Sequence, residues 1–368
     1  MNRSAASDSS TLPVDKDIVE QATPNDGAPS QDPDLAVLMG GGVVAGAITG
    51  AVIGVGVAGP AGIVVGTIVG AVAGAAGATS AVASGAVTGT ADSSSTEPTQ
   101  ADSVRLHIDD TGGSGRPVVL IHGWPLSSQA WEPQVSVLQS AGYRVVAYDR
   151  RGFGRSDKPH SSYSYDVLAD DLQRVIDQCE LQDVTLVGFS MGGGEVARYI
   201  TRHGESRLRS VVFAASVPPY LMKSTDNPEG PLTPEKAQEM KGALEADRSA
   251  FFDQFTKDFF SANGVLQVTE SQRKEAIALC QQSPQHAALA CMDSFATTDF
   301  REDLKKVTIP TLVIHGDADA IVPFEGSGQR THRAVAHSQL VTLKDAPHGL
   351  NVSHAQAFND ALMSFLRL

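Results

Sequence analysis

Gly188-Phe189-Ser190-Met191-Gly192 decides how this 368-residue chain is read. The apolar, β-branched run Val184-Thr185-Leu186-Val187 predicts a strand leading into it. Gly193-Gly194-Glu195-Val196-Ala197-Arg198-Tyr199-Ile200 is compatible with a helix leading out. Between a strand and a helix, G-x-S-x-G is a nucleophile elbow, a turn too tight for side chains two residues either side of the serine. It would present the Ser190 Oγ beside a helix N-terminus, whose free N–H groups stabilise an anion. A glycine-rich turn with an idle serine has the same spacing, so the reading depends on partners elsewhere in the chain.

A serine in water is a poor nucleophile; it needs a base, and the base needs an orienting acid. Two candidate loops follow Ser190. His315-Gly316-Asp317-Ala318-Asp319-Ala320-Ile321-Val322-Pro323 comes just after the strand-like Thr311-Leu312-Val313-Ile314. Asp345-Ala346-Pro347-His348-Gly349 comes just after Gln339-Leu340-Val341-Thr342-Leu343. Both loops lie where strands end, the edge at which open α/β sheets build their sites. Serine, then acid, then histidine is also the chain order of α/β-hydrolases. His348 is the expected base, because a Pro-His-Gly loop is a poor place for a packed core histidine. Asp317 and Asp319 compete for the acid, and the other would bond loop N–H groups. Asp345 is near His348 in sequence, which is not nearness in the fold.

An oxyanion hole needs two backbone donors. One is expected from the residue after the nucleophile, Met191. The second is expected from Trp124 in the loop His122-Gly123-Trp124-Pro125, after the strand Pro117-Val118-Val119-Leu120-Ile121. Gly123 lets the backbone approach closely, and Pro125 stiffens the loop. His122 precedes the serine and is expected to bond the loop rather than act as the base.

From residue 104 to residue 368 the chain resembles the cofactor-free haloperoxidase and arylesterase family, the bacterial perhydrolases. The resemblance is carried by residues 120–126, by Tyr148-Asp149-Arg150-Arg151-Gly152-Phe153-Gly154-Arg155-Ser156, and by residues 185–199. Val217-Pro218-Pro219-Tyr220, Thr298-Asp299-Phe300-Arg301 and Ala346-Pro347-His348-Gly349-Leu350-Asn351 extend it. It implies a Ser190–His348–Asp319 triad, since the superfamily pattern sets the acid four residues before a proline, here Pro323. It implies Trp124 and Met191 as oxyanion donors, and neither a metal nor an organic cofactor. The implied substrates are small carboxylic esters, with hydrogen peroxide able to replace water, and a proline after the tryptophan, here Pro125, resembles members biased toward peroxide. A lactonase of the same fold is the alternative within this class. A scaffold protein with a passenger hydrolase domain is the alternative outside it, disfavoured by the complete set of Ser190, Asp319 and His348. Haloalkane dehalogenases and soluble epoxide hydrolases carry Asp where this chain has Ser190. Gly152-Phe153-Gly154 lacks the third glycine and the following helix of a dinucleotide site. Residues 149–156 are expected as a strand-to-loop turn pinned by Arg and Asp.

The expected fold class is α/β, a mostly parallel sheet flanked by helices, occupying residues 103–368 as one domain. Residues 144–148, 184–187, 210–214 and 311–315 are short and apolar on both faces, as in a parallel sheet. Residues 166–180 and 354–366 show helical spacing. Residues 218–300 show no strong strand and are expected as a helical cap, with helices over 234–253 and 271–280. Core packing is the default for Phe251, Phe252, Phe255, Phe259 and Phe260, with a pocket-facing role as the alternative. A net charge of −14 argues against a nucleic-acid partner. Cys179, Cys280 and Cys291 form no disulfide framework, fall in helix-like segments and read as buried structural thiols of a cytoplasmic protein.

The first hundred residues are different. Residues 1–34 carry two Lys/Arg against seven Asp/Glu and read as a disordered acidic tail. Nothing at Met1 reads as a signal peptide. Residues 35–91 contain no charged residue, and glycine recurs every fourth position at Gly42, Gly46, Gly50, Gly54 and again at Gly62, Gly66, Gly70, Gly74. Each series would lie on one helix face and allow close helix contact. Gly59-Pro60 divides the runs, and residues 35–58 would span about 36 Å as a helix. The expectation is a glycine-zipper helical hairpin that enters a membrane, with self-association or a loose tail as alternatives. Acidic flanks give no positive-inside signal. Residues 92–102 read as a linker. The family resemblance further implies a homo-oligomer.

Overall fold

A computed structural model describes residues 104–368. The readings of 1–34, 35–91 and 92–102 lie outside the described residues. The chain opens with β1 (His107–Asp110), β2 (Pro117–Ile121), α1 (Glu132–Ser140), β3 (Arg144–Asp149) and α2 (Tyr165–Gln178). It continues through β4 (Val184–Phe189), α3 (Met191–His203) and β5 (Leu208–Ala214). An insertion follows: α4 (Pro234–Ala246), α5 (Arg248–Phe260), β6 (Ser261–Ala262), β7 (Val265–Leu266), α6 (Glu270–Gln281), α7 (Gln285–Thr297) and the short α8 (Arg301–Leu304). The chain returns to the sheet as β8 (Thr311–Gly316), α9 (Gly328–Ala334), β9 (Gln339–Leu343), α10 (Leu350–Ser353) and α11 (Ala355–Leu366).

Seven strands form one sheet in the order β1-β3-β2-β4-β5-β8-β9. All neighbours are parallel except β1, which runs antiparallel to β3. Side chains of β2, β4, β5 and β8 are almost all buried. Such two-sided burial explains why these strands read as unbroken apolar runs rather than alternating ones. The expected α/β sheet and its flanking helices are present.

The insertion departs from expectation in two places. The helical stretch 234–253 breaks at Asp247, whose carboxylate accepts from the Ala250 N–H at 2.9 Å and caps α5. A small hairpin, β6–β7, sits where no strand was expected; Asn263 and Gly264 turn it with φ of 52° and 78°. The phenylalanines divide: Phe252, Phe259 and Phe260 pack into the core, while Phe251 and Phe255 border a cavity. Cys280 and Cys291 are buried, and burial pushes both thiols up to about 12. Cys179 is only half-buried, because it caps the exposed end of α2.

The β4–α3 connection is the tightest point. Ser190 has φ 54° and ψ −118°, a conformation rare for a residue with a side chain. A Cβ on Gly188 would stand 2.6 Å from the Gly192 carbonyl oxygen, and one on Gly192 would stand 2.6 Å from that of Ile121. Both obstacles are backbone atoms of packed elements and cannot rotate away. Gly192→Ala is therefore expected to cost about 2 kcal/mol of stability in urea unfolding; an unchanged midpoint would contradict this account of the motif.

Candidate active site

Ser190 N-caps α3 at the end of β4, Asp319 lies just after β8, and His348 lies just after β9. Parallel strands deliver all three to the same edge of the sheet. Asp319 Oδ2 lies 2.7 Å from His348 Nδ1, and His348 Nε2 lies 2.9 Å from Ser190 Oγ. A carboxylate only accepts, so Nδ1 carries the proton and Nε2 is left to accept from the serine hydroxyl. Ser190 Oγ can therefore surrender its proton along a formed hydrogen bond. His348 departs from one expectation: although it stands on a Pro-His-Gly loop, it is buried, 1 % exposed, against the rings of Phe189 and Phe259. Phe259 comes from the insertion, which the local sequence around His348 does not reveal.

Asp317 and Asp319 separate cleanly. The Asp317 carboxylate accepts from the Asp345 N–H at 2.6 Å and holds the loop. Asp319 Oδ1 accepts from the N–H groups of Ile321 and Val322 at 2.9 and 2.8 Å, which aims Oδ2 at the histidine. Burial alone would raise the Asp319 carboxyl, but the His348 charge and hydrogen bonds from His315 and His348 outweigh it. They hold this carboxyl below the usual range, so it stays an acceptor.

His315 was quoted in the sequence without a role. It is completely buried, and its Nε2–H donates to the Val322 carbonyl at 2.8 Å and lies 3.2 Å from Asp319 Oδ2. It thus packs a proton donor behind the acid. A histidine four residues before an acid at a strand end was the available signal, but the same pattern suits an ordinary turn.

Met191 is the first residue of α3, so its N–H belongs to the helix end that lacks an intrahelical acceptor. The facing loop closes on the serine, since a Cβ on Gly123 would stand 3.0 Å from Ser190 Cβ. Next to it, Trp124 donates its indole N–H to the Ala288 carbonyl of α7 at 3.0 Å. Its ring meets Phe251, Phe255 and Phe295 edge-on. The loop carrying the Trp124 N–H is thereby clamped between sheet and insertion.

His122 belongs to that clamp, as expected. The Arg150 N–H donates to His122 Nε2 at 3.0 Å, so Nδ1 carries the proton and donates to the Gly123 carbonyl at 2.9 Å. Arg150 also reaches the His122 carbonyl at 2.6 Å and the Glu195 carboxylate at 2.5 Å, and Tyr148 donates to the same carboxylate at 2.7 Å. Residues 149–156 form the expected pinned turn, with Asp149 accepting from the Ser128 and Arg155 N–H groups at 2.8 Å each.

Burial, together with the Arg150 charge, pushes His122 down from 6.5 to about 3. Between those values the unfolded chain holds a proton that the folded chain does not. Stability therefore falls as pH drops from 6.5 toward 3. His122→Asn is expected to flatten the dependence of Tm on pH in that window, relative to the unsubstituted protein. Parallel curves would show that His122 is not held neutral by the fold.

Ser190 and His348 open onto a cavity of about 720 Å3 between the strand-end loops and helices α4, α5 and α7. Among the described residues no cluster of His, Cys, Asp and Glu is arranged to hold a metal ion.

Residues 116–355 match a family model described as the alpha/beta hydrolase fold. The chain is 40 % identical to the non-heme chloroperoxidase of Kitasatospora aureofaciens, across 73 % of this chain and 98 % of that one. It is 35 % identical to a bifunctional esterase/perhydrolase of Acinetobacter calcoaceticus over the same shares. The crystal structure of a bromoperoxidase from Bacillus anthracis superposes with a TM-score of 0.71 and 52 % identity, covering 72 % of this chain and 96 % of that one. A match across nearly the full length of such relatives settles the family: the chain belongs to the alpha/beta hydrolase fold family, among its non-heme haloperoxidases and esterase/perhydrolases.

Proposed function

We propose that this protein is a serine hydrolase of small-molecule carboxylic esters that passes the acyl group to water or to hydrogen peroxide. The observation that carries this is the unbroken hydrogen-bonded run Asp319–His348–Ser190, 2.7 and 2.9 Å, at the floor of a substrate-sized cavity. Ser190 is the nucleophile, His348 the general base and acid, and Asp319 the orienting acid. The Trp124 and Met191 N–H groups form the oxyanion hole. As Ser190 Oγ attacks the ester carbonyl, His348 Nε2 takes its proton and the negative oxygen forms before the two N–H groups. The carbon–alkoxide bond then breaks, and His348 returns the proton to the departing alcohol. Water attacks the acyl-serine with His348 again taking a proton, releasing the acid and restoring Ser190. If hydrogen peroxide attacks instead, the product is a peracid, which oxidises halide in free solution. Haloperoxidation then needs no redox group on the protein.

Full-length protein is expected to hydrolyse an aryl acetate and, with peroxide and bromide added, to brominate an organic acceptor. Ser190→Ala should lower both by at least on the order of 10⁴-fold. Hydrolysis that survives this substitution would overturn the acyl-serine reading. Hydrolysis without peroxide-dependent bromination would restrict the protein to ester cleavage.

We extend the proposal to the rest of the chain: an acidic tail over 1–34, a glycine-zipper hairpin over 35–91, a linker over 92–102 and a cytoplasmic, homo-oligomeric hydrolase domain over 103–368. Among the described residues no helix is long and apolar enough to cross a membrane, so attachment would rest on 35–91. Its uncharged composition and fourfold glycine spacing support that role. The full chain should fractionate with membranes and lose this on deletion of 35–91. Recovery of the full chain entirely in the soluble fraction would reject membrane insertion.

A further inference from the structure

The cavity above Ser190 is far larger than an acetyl group requires. Ligand sites of roughly 300–1,000 Å3 enclose molecules of drug size, and this one holds about 720 Å3. Its inner wall is apolar: Val217, Leu221, Met240, Phe251, Phe255 and Ile321 face it. Its carboxylates and its lysine stand on α4, on α5 and at the Asp247 junction between them. The three carboxylates are Glu239, Asp247 and Asp258, and among the described lining residues Lys236 is the only Lys or Arg. Lys236 Nζ is paired with Glu239 at 3.0 Å, and the cavity's remaining charged side chains are carboxylates, so its charge is offset toward an incoming anion.

The direction of the substrate follows from the oxyanion loop. The carbonyl oxygen sits at the Trp124 N–H, and the acyl chain begins one bond from that carbon. The Trp124 ring joins Phe251, Phe255 and Phe295 in one edge-on aromatic cluster at 5.3 to 6.2 Å, and all four residues line the cavity. An acyl chain leaving the carbonyl on that side meets this aromatic cluster. A carboxylate at its far end would lie either in apolar wall, without a cation to pair with, or beside the acidic helices.

Resting on the serine-hydrolase reading above, we propose that the preferred substrates are esters of uncharged, medium-length acyl groups of about six carbons. Acyl groups that end in a carboxylate, including those of lactones that keep a free carboxylate, are rejected. The chemistry is unchanged: ester and water give acid and alcohol, and ester and peroxide give the medium-chain peracid and alcohol.

The test compares p-nitrophenyl acetate, p-nitrophenyl hexanoate and the mono-p-nitrophenyl ester of adipic acid on full-length protein. Hexanoate and adipate have the same chain length and differ in the terminal charge. Each buried methylene is worth up to about fourfold in kcat/KM, so hexanoate should exceed acetate by at least tenfold overall. The adipate half-ester should fall on the order of 100-fold below hexanoate. Met240→Trp, which adds bulk inside the cavity, should lower the hexanoate-to-acetate ratio. Glu239→Lys with Asp258→Lys should raise the adipate-to-hexanoate ratio at low salt, and less so at high salt. Ser190-dependent acetate cleavage with hexanoate no faster, or adipate as fast as hexanoate, overturns this inference alone. Unaltered ratios in the two variants overturn the assignment to these walls. Absence of turnover on all three esters overturns the hydrolase reading itself.

Discussion

Ser190 holds a backbone conformation that an L-residue adopts only under constraint, at a cost on the order of 1–3 kcal/mol. Three hydrogen bonds maintain it: its N–H donates to the Ala214 carbonyl at 2.9 Å, and its carbonyl accepts from Gly193 and Val217 at 3.1 and 3.2 Å. The Ser216 hydroxyl adds a bond to the Gly188 carbonyl at 2.9 Å. Gly193 belongs to α3 itself, and the other partners come from β5 and its exit, so the strain is borne largely by the neighbouring strand. Nothing else at the site could take position without it. The same turn points Oγ out of the sheet, starts α3 with its free N–H groups, and brings Ser190 within reach of a histidine that follows a strand three positions away in the sheet.

The opposite wall of the site has no such covalent certainty. Gly123 and Trp124 stand on a loop, and loops drift unless they are tied. Here the tie is a buried polar network that joins the exits of β2 and β3 to the second turn of α3: His122, Arg150, Tyr148 and Glu195. Burying Arg150 and Glu195 is costly, and their attraction repays it only when every remaining donor and acceptor is matched. Arg150 also donates to the His122 carbonyl, and Tyr148 satisfies the second oxygen of Glu195. The burial that pushes His122 down to about 3 therefore also makes it a fixed neutral linker at ordinary pH. Conformational definition of the loop, more than stability, is what such a network supplies.

The parts legible in the sequence are those fixed by short-range geometry. Gly188 and Gly192 announce the elbow because no other residue fits, and the apolar runs of β2, β4, β5 and β8 announce a sheet covered on both faces. Local sequence does not separate Asp317 from Asp319, since both lie in one turn and both carry the same group; only the folded loop aims one at Asp345 and the other at His348. The break at Asp247 and the hairpin at Asn263-Gly264 had their usual local signals, an N-capping aspartate and an Asn-Gly turn. Helix-compatible neighbours masked the first, and the shortness of the strands masked the second. His315 and the burial of His348 were illegible for a different reason. Both depend on contacts across the fold, with Asp319 behind the one and Phe259 over the other.

This division follows the architecture. Ser190, Asp319 and His348 follow the ends of parallel strands, whose register is set by hydrogen bonds and can be inferred from strand order. The walls that meet the rest of the substrate belong to an insertion whose helices share no such ladder and pack by shape. Trp124 is where the two meet: its backbone is the proposed oxyanion donor, while its indole is bonded to α7 and its ring is packed against α5. A movement of the insertion is therefore transmitted to the oxyanion loop through one side chain. Acyl fit and carbonyl activation cannot be tuned there independently. α4 brings Met240 and Ala243 to the same cavity wall and carries none of Ser190, Asp319, His348 or Trp124, so selectivity can change there without replacing those groups. A fold that ties Ser190 to the end of a central strand by backbone hydrogen bonds leaves that helix free to vary.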